Sequence, residues 1–215
     1  VSGICQPDRG AFSRKWNSPD SEKNYKEFNT GQLNYTKDEI DYNYNSKGYR
    51  CDDFSLQSEL PILFLGCSFT EGEGLPINEV WSYHLHNKIK QLTNKNIPFW
   101  SLGKGGSNID YAARMYYQYA QMLRPKYVFY LLSGIKRREF CLDSPQHQMW
   151  WPNHTKLFTP NESFKQVSTI FSDPNFALYQ TDRSAMILQL MASVIDSQIF
   201  IFDTDSTEHE NKIEL

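Results

Sequence analysis

The chain has 215 residues, of which 40% are hydrophobic and 15% aromatic, and a formal net charge of −3. That length supports one sizeable core with appendages rather than two full domains, and the basic residues are scattered rather than gathered into a stripe, which argues against nucleic acid as a partner. No run approaches the roughly 18 apolar residues needed to cross a bilayer, and the opening Val1-Ser2-Gly3-Ile4-Cys5-Gln6-Pro7 has neither the basic flank nor the apolar stretch of a signal peptide, so a soluble chain without a membrane span is expected.

Residues 1–60 are polar and tyrosine-rich, as in Asp41-Tyr42-Asn43-Tyr44-Asn45-Ser46-Lys47-Gly48-Tyr49-Arg50, with turn signals and no sustained helical periodicity. They read as a loop-rich N-terminal extension with short hairpin strands. The pattern changes at Pro61: Ile62-Leu63-Phe64-Leu65 is a short apolar run bounded by turn residues, as expected of a parallel strand buried on both faces. From Asn78 the residues Val80, Trp81, Leu85, Ile89 and Leu92 fall at helical spacing, and Ile97-Pro98-Phe99-Trp100-Ser101-Leu102 supplies the next strand. A second helix opens at Asn108 with the stripe Ile109, Ala112, Tyr116, Ala120 and Leu123; Pro125 ends it before the strand Tyr127-Val128-Phe129-Tyr130-Leu131-Leu132. An aromatic, proline-bearing insertion occupies about 136–180. A helix around Ser184–Ser197, carrying Ile187, Leu190, Met191 and Val194, then leads into the strand Ile199-Phe200-Ile201-Phe202. Strands alternating with helices in this way specify an α/β fold over residues 61–215, a doubly wound parallel sheet with helices on both faces.

In an open parallel sheet the site lies beyond the carboxyl ends of the strands, so the residues directly after each apolar run carry the chemistry. After the first strand comes Gly66-Cys67-Ser68-Phe69-Thr70-Glu71-Gly72-Glu73-Gly74, a nucleophile candidate on a glycine-flanked turn. After the second comes Leu102-Gly103-Lys104-Gly105-Gly106-Ser107-Asn108, a glycine-rich loop opening into a helix whose first N–H groups can face developing negative charge. Cys5, Cys51, Cys67 and Cys141 form no Cys-x-x-Cys pair and have no histidine at ligand spacing, so no metal site is expected and the thiols read as free. Cys67, which precedes the turn, is expected to point into the core as a small hydrophobe. His84, His86, His147 and His154 read as ordinary surface or interface residues.

The segment Ile62-Leu63-Phe64-Leu65-Gly66-Cys67-Ser68-Phe69-Thr70 resembles the first block, Gly-Asp-Ser, of the SGNH (GDSL-type) esterase and acyltransferase family, with Cys67 in place of the aspartate. The glycine-rich stretch resembles the second block, whose essential glycine would be Gly106. The likeness covers about residues 60–135 and otherwise only the architecture, a flavodoxin-like three-layer α/β/α sandwich. It implies acyl transfer without a cofactor: Ser68 attacks the carbonyl of a small-molecule or carbohydrate ester, and the N–H groups of Ser68 and Gly106 hold the oxyanion.

Two blocks depart from the family pattern. Where the third block has an asparagine, this chain has Lys136, in Ser133-Gly134-Ile135-Lys136-Arg137-Arg138-Glu139; a cationic Lys136 would stabilise an oxyanion, or it belongs to a surface basic cluster pairing with Glu139. In place of the fourth block, Asp-x-x-His, it has Asp205-Ser206-Thr207-Glu208-His209, and the Asp-x-x-x-His spacing is one residue too long. Three readings stay open: His209 is the base with Asp205 beside it, the pair lies further along a longer parent chain, or there is no base.

Asn108, at the opening of the second helix, is a candidate substrate contact. So are Trp150 and Trp151, in Met149-Trp150-Trp151-Pro152, where aromatic faces suit stacking on sugar rings or acyl chains; the competing reading is a satellite core beneath a long loop. A nucleotide-binding fingerprint fails in detail, because Gly103-x-Gly105-x-x-Asn108 lacks the third glycine and no Gly-x-x-x-x-Gly-Lys-Ser/Thr occurs. The alternative to a serine esterase or acyltransferase is a catalytically silent module of the same fold, used for carbohydrate binding or assembly, for instance in a virus-associated protein.

Overall fold

The computed structural model describes residues 11–14, 40–134, 137–140, 148–150 and 173–203. In chain order, β1 (Phe12–Arg14) pairs antiparallel with β2 (Tyr42–Tyr44). Then β3 (Ile62–Gly66) leads into a single helical turn, α1 (Ser68–Glu71), a 3-10 turn (Ile77–Glu79) and α2 (Trp81–Thr93). Next come β4 (Trp100–Ser101), α3 (Ile109–Leu123) and β5 (Tyr127–Leu132). The short antiparallel pair β6 (Arg138–Phe140) and β7 (Gln148–Trp150) follows, and α4 (Pro174–Val194) and β8 (Gln198–Asp203) complete the described elements.

The central sheet is parallel throughout, in the order β4-β3-β5-β8. Every residue of β3 is buried, because the strand is interior and both its faces are covered. On one face Leu63, Leu65, Val128 and Tyr130 pack with Ile109, Met115 and Tyr116 of α3 and Leu188 of α4. On the other, Ile62, Phe64 and Phe99 pack against Trp81, Leu85 and Ile89 of α2. Helices on both faces give the three-layer α/β/α arrangement that alternating strands and helices require. The crossover after β3 runs over one face and the crossover after β5 over the other, so the topological switch point lies between these two neighbouring strands.

Several details depart from the periodicity. The second strand is shorter than Ile97–Leu102: Pro98 has no N–H, and the Phe99 amide and carbonyl bond instead to Asp52, at 2.9 Å to its Oδ2 and 2.9 Å from its N–H. Leu92 is 74% exposed on the last turn of α2. The last helix starts at Pro174, with Asp173 capping the Phe176 amide at 2.9 Å, some ten residues before the predicted start. Its buried face is Ala177, Thr181, Leu188 and Ala192, whereas Leu190 and Val194 are exposed. Small side chains dominate because α4 lies close against α3, joined also by Ser184 Oγ donating to Asp110 Oδ1 at 2.8 Å. The N-terminal segment contributes to the main core: Tyr49 and Phe54 stack edge-on against Tyr119 of α3. No helix among the described residues is long and apolar enough to cross a membrane.

Candidate functional site

Ser68 is the first residue of α1, directly beyond the carboxyl end of β3, and is partly exposed. The turn is made possible by Gly66, at φ 154°: a Cβ there would lie 2.0 Å from Thr70 Oγ1. Cys67 is buried at 2% exposure, the orientation expected of a small hydrophobe. The hydrogen-bond partner of the Ser68 hydroxyl among the described residues is the Cys67 sulphur, at 4.0 Å and correspondingly weak, which leaves the hydroxyl available.

The glycine-rich loop after β4 lies against this turn. A Cβ on Gly103 would come within 2.7 Å of the Glu71 nitrogen and 2.8 Å of the Thr70 carbonyl carbon, so only glycine permits the approach. The Gly66 carbonyl accepts from Lys104 N–H at 3.1 Å and from Ser107 Oγ at 2.8 Å, which holds the loop on either side of Gly106. Ser133, at the end of β5, extends the web by donating its hydroxyl to the Ser107 carbonyl at 2.9 Å. All three strand-end segments therefore meet at one end of the sheet, at its switch point.

The amides of the loop are almost fully used. Gly103 N–H donates to Ser101 Oγ, Lys104 N–H to Gly66, Gly105 N–H to Glu71 Oε2 at 2.5 Å, and Ser107 N–H to Lys104. Gly106, at φ 76°, and Asn108 are the exceptions: their N–H groups have no acceptor among the described residues, and the same is true of the Ser68 N–H. Asn108 caps α3, its Oδ1 accepting from Tyr111 N–H at 2.9 Å; its Nδ2 is buried with no hydrogen-bond partner among the described residues.

Around this centre the polar groups are tightly held. Glu71, 2% exposed, accepts from Tyr44 Oη at 3.1 Å and pairs with Lys104 Nζ at 3.3 Å, in addition to Gly105. Arg50, 4% exposed, donates to the carbonyls of Gly72 at 2.7 Å and Glu71 at 3.3 Å, and to those of Asp41 and Leu75, each at 3.0 Å. Burial raises the pKa of the Tyr130 phenol, with Cys67 and Asp110 nearby adding to the effect, so it stays neutral beneath the turn.

The predicted residues divide accordingly. Ser68, Gly106 and Asn108 fall at one end of the sheet on the first two loops. Trp150 lies in β7; Lys136, Trp151, Asp205 and His209 lie outside the described residues, as do His147 and His154. His86 is not a surface residue: it is 4% exposed, packed edge-on against Phe99, and its Nε2 donates to the Ile97 carbonyl at 2.8 Å, serving a backbone group that the shortened β4 leaves outside the ladder. Glu71, Lys104, Tyr44, Ser107 and Ser133 carry no role in the sequence reading, and the signal for them is faint. An acidic residue three positions after the candidate nucleophile and a lysine among glycines become partners only once the two loops are folded together.

No protein-family model matches the chain, and no curated protein matches it. Among solved structures it is similar to a candidate acylhydrolase from Bacteroides fragilis, at 12% identity and a TM-score of 0.33, covering 65% of this chain and 46% of that one. It is also similar to a variant of an acetyl-xylooligosaccharide esterase from Geobacillus, at 13% identity and a TM-score of 0.32, covering 67% of this chain and 76% of that one. The chain thus spans less than half the length of the first of these. Likeness at this level carries no argument about activity.

Proposed function

We propose that this protein is a serine esterase or acyltransferase acting on an O-acyl ester such as an O-acetyl carbohydrate or a lipid. The observation that supports the reading best is the pairing of a weakly engaged, partly exposed hydroxyl on Ser68 with two main-chain N–H groups, of Ser68 and Gly106, that have no acceptor among the described residues. Such amides, fixed before the substrate arrives, suit an oxyanion because they need no reorganisation as charge develops. In this reading Ser68 Oγ attacks the acyl carbonyl, His209 accepts its proton with Asp205 orienting the imidazole, and Lys136 adds positive charge near the oxyanion. Asn108 sets the start of α3 beside the glycine-rich loop, and Trp150 and Trp151 supply apolar contact to the acyl or sugar portion.

The test uses the whole chain with a short-chain aryl ester and a fluorophosphonate probe. Hydrolysis and labelling are both expected, and both are lost in Ser68→Ala. Equal turnover by Ser68→Ala ends the proposal. Retention on a glycan array with no labelling by the probe favours the silent binding module instead.

A further inference from the structure

We propose that Glu71 is a positioning residue that sets the oxyanion-binding loop, and that through it Tyr44 of the N-terminal segment becomes part of the reaction machinery. The inference rests on the esterase reading above and adds to it a group that touches neither substrate nor reacting atoms.

The carboxylate is the most enclosed acid among the described residues, at 2% exposure, and a charge so placed persists only when paired and hydrogen-bonded. Glu71 meets that need with donors from two other segments. Tyr44 Oη and Lys104 Nζ both reach Oε1, at 3.1 and 3.3 Å, while Gly105 N–H reaches Oε2 at 2.5 Å. Lys104 also stands 5.9 Å from the centroid of the Tyr44 ring, so tyrosine and lysine support each other as well as the carboxylate.

What the carboxylate grips gives it a role beyond packing. Glu71 closes the turn that begins at Ser68, with its own N–H bonded to the Cys67 carbonyl at 3.0 Å, so it moves with the candidate nucleophile. Gly105 is the residue before Gly106, in a loop where glycine leaves the backbone intrinsically loose. Glu71 therefore ties the peptide next to the unoccupied Gly106 N–H directly to the turn carrying the hydroxyl. One side chain fixes the relation between the attacking atom and the amide that would receive the oxyanion.

The experiment compares wild type with Glu71→Gln, Glu71→Ala and Tyr44→Phe, measuring kcat and KM on the aryl ester together with thermal midpoints and amide exchange at Gly105. Misplacing an oxyanion donor costs about 10²–10³ in rate, so Glu71→Ala is expected to lower kcat by roughly 10²-fold while KM stays within about twofold. Glu71→Gln keeps an acceptor for Gly105 and restores most of that loss. Tyr44→Phe falls between Glu71→Ala and wild type. Exchange at Gly105 accelerates in Glu71→Ala while the amides of β3 remain protected. A folded Glu71→Ala with wild-type kcat, or kcat and KM changing together in step with the folded fraction, overturns the inference and leaves the esterase reading intact. An inactive wild type removes the esterase reading and the positioning role with it, and unchanged Gly105 exchange removes the clamp itself even if the enzyme is active.

Discussion

Ser107 donates its hydroxyl to the carbonyl of Gly66 at 2.8 Å, joining the loop after β4 to the last residue of β3. Both groups are buried, and the Ser107 carbonyl in turn receives Ser133, so the bond is one of two that join three strand ends. Ser107→Ala removes it without adding bulk. The expected cost is about 1–3 kcal/mol, the range for a buried group losing its partner, read as a lower urea midpoint with unchanged slope. Turnover of the aryl ester falls as well, because Gly106 loses one of its two tethers.

Gly103→Ala tests the close approach of the two loops. The added methyl meets backbone atoms of Thr70 and Glu71, which cannot swing aside as a side-chain tip would. Overpacking of this kind costs about 1–3 kcal/mol, and the thermal midpoint should fall accordingly. An alanine variant as stable as wild type contradicts the packing described.

Arg50→Met leaves four carbonyls, of Asp41, Glu71, Gly72 and Leu75, without their donor. A loss of about 3–5 kcal/mol is expected, comparable to breaking a buried charge network. Lysine is a poor substitute because its ammonium lacks the planar fork that reaches carbonyls on two sides. Chemical denaturation of Arg50→Lys should therefore fall nearer to Arg50→Met than to wild type.

Hydrogen bonds from Ser46 and Ser55 hold the Asp53 carboxyl well below the usual carboxylate range. A depressed folded-state value stabilises the fold above the unfolded value of about 3.9, and that contribution disappears as pH falls towards the folded value. Wild type should exceed Asp53→Asn in denaturation midpoint at pH near 7. The gap should narrow as the pH drops below about 4, and a gap that widens on acidification would show that the carboxylate is not held in this way.

The fold was legible where one physical signal dominated. Ile62–Leu65 could only be an interior strand, and Pro125 stopped α3 where its missing N–H required. The α4 stripe was misjudged because hydrophobicity alone does not say which face is inside: alanine and threonine line the buried side, chosen for closeness to α3 rather than for apolar bulk. The two site loops stood out because glycines flanked a serine at strand ends. Their cross-links did not, since Tyr44, Arg50, Glu71 and Lys104 meet only through contacts distant in sequence, and charge pairing leaves no periodic trace. His86 was read as a surface or interface residue for a similar reason: its partner is a carbonyl left outside the ladder by the brevity of β4.

The interior place of β3 has a mechanical corollary. The strand that presents Ser68 is gripped by β4 on one side and β5 on the other, whereas β4 and β8, the edge strands among the described residues, each pair with a single neighbour. Loosening at either edge therefore leaves the base of the serine's turn anchored, because β3 keeps a paired neighbour.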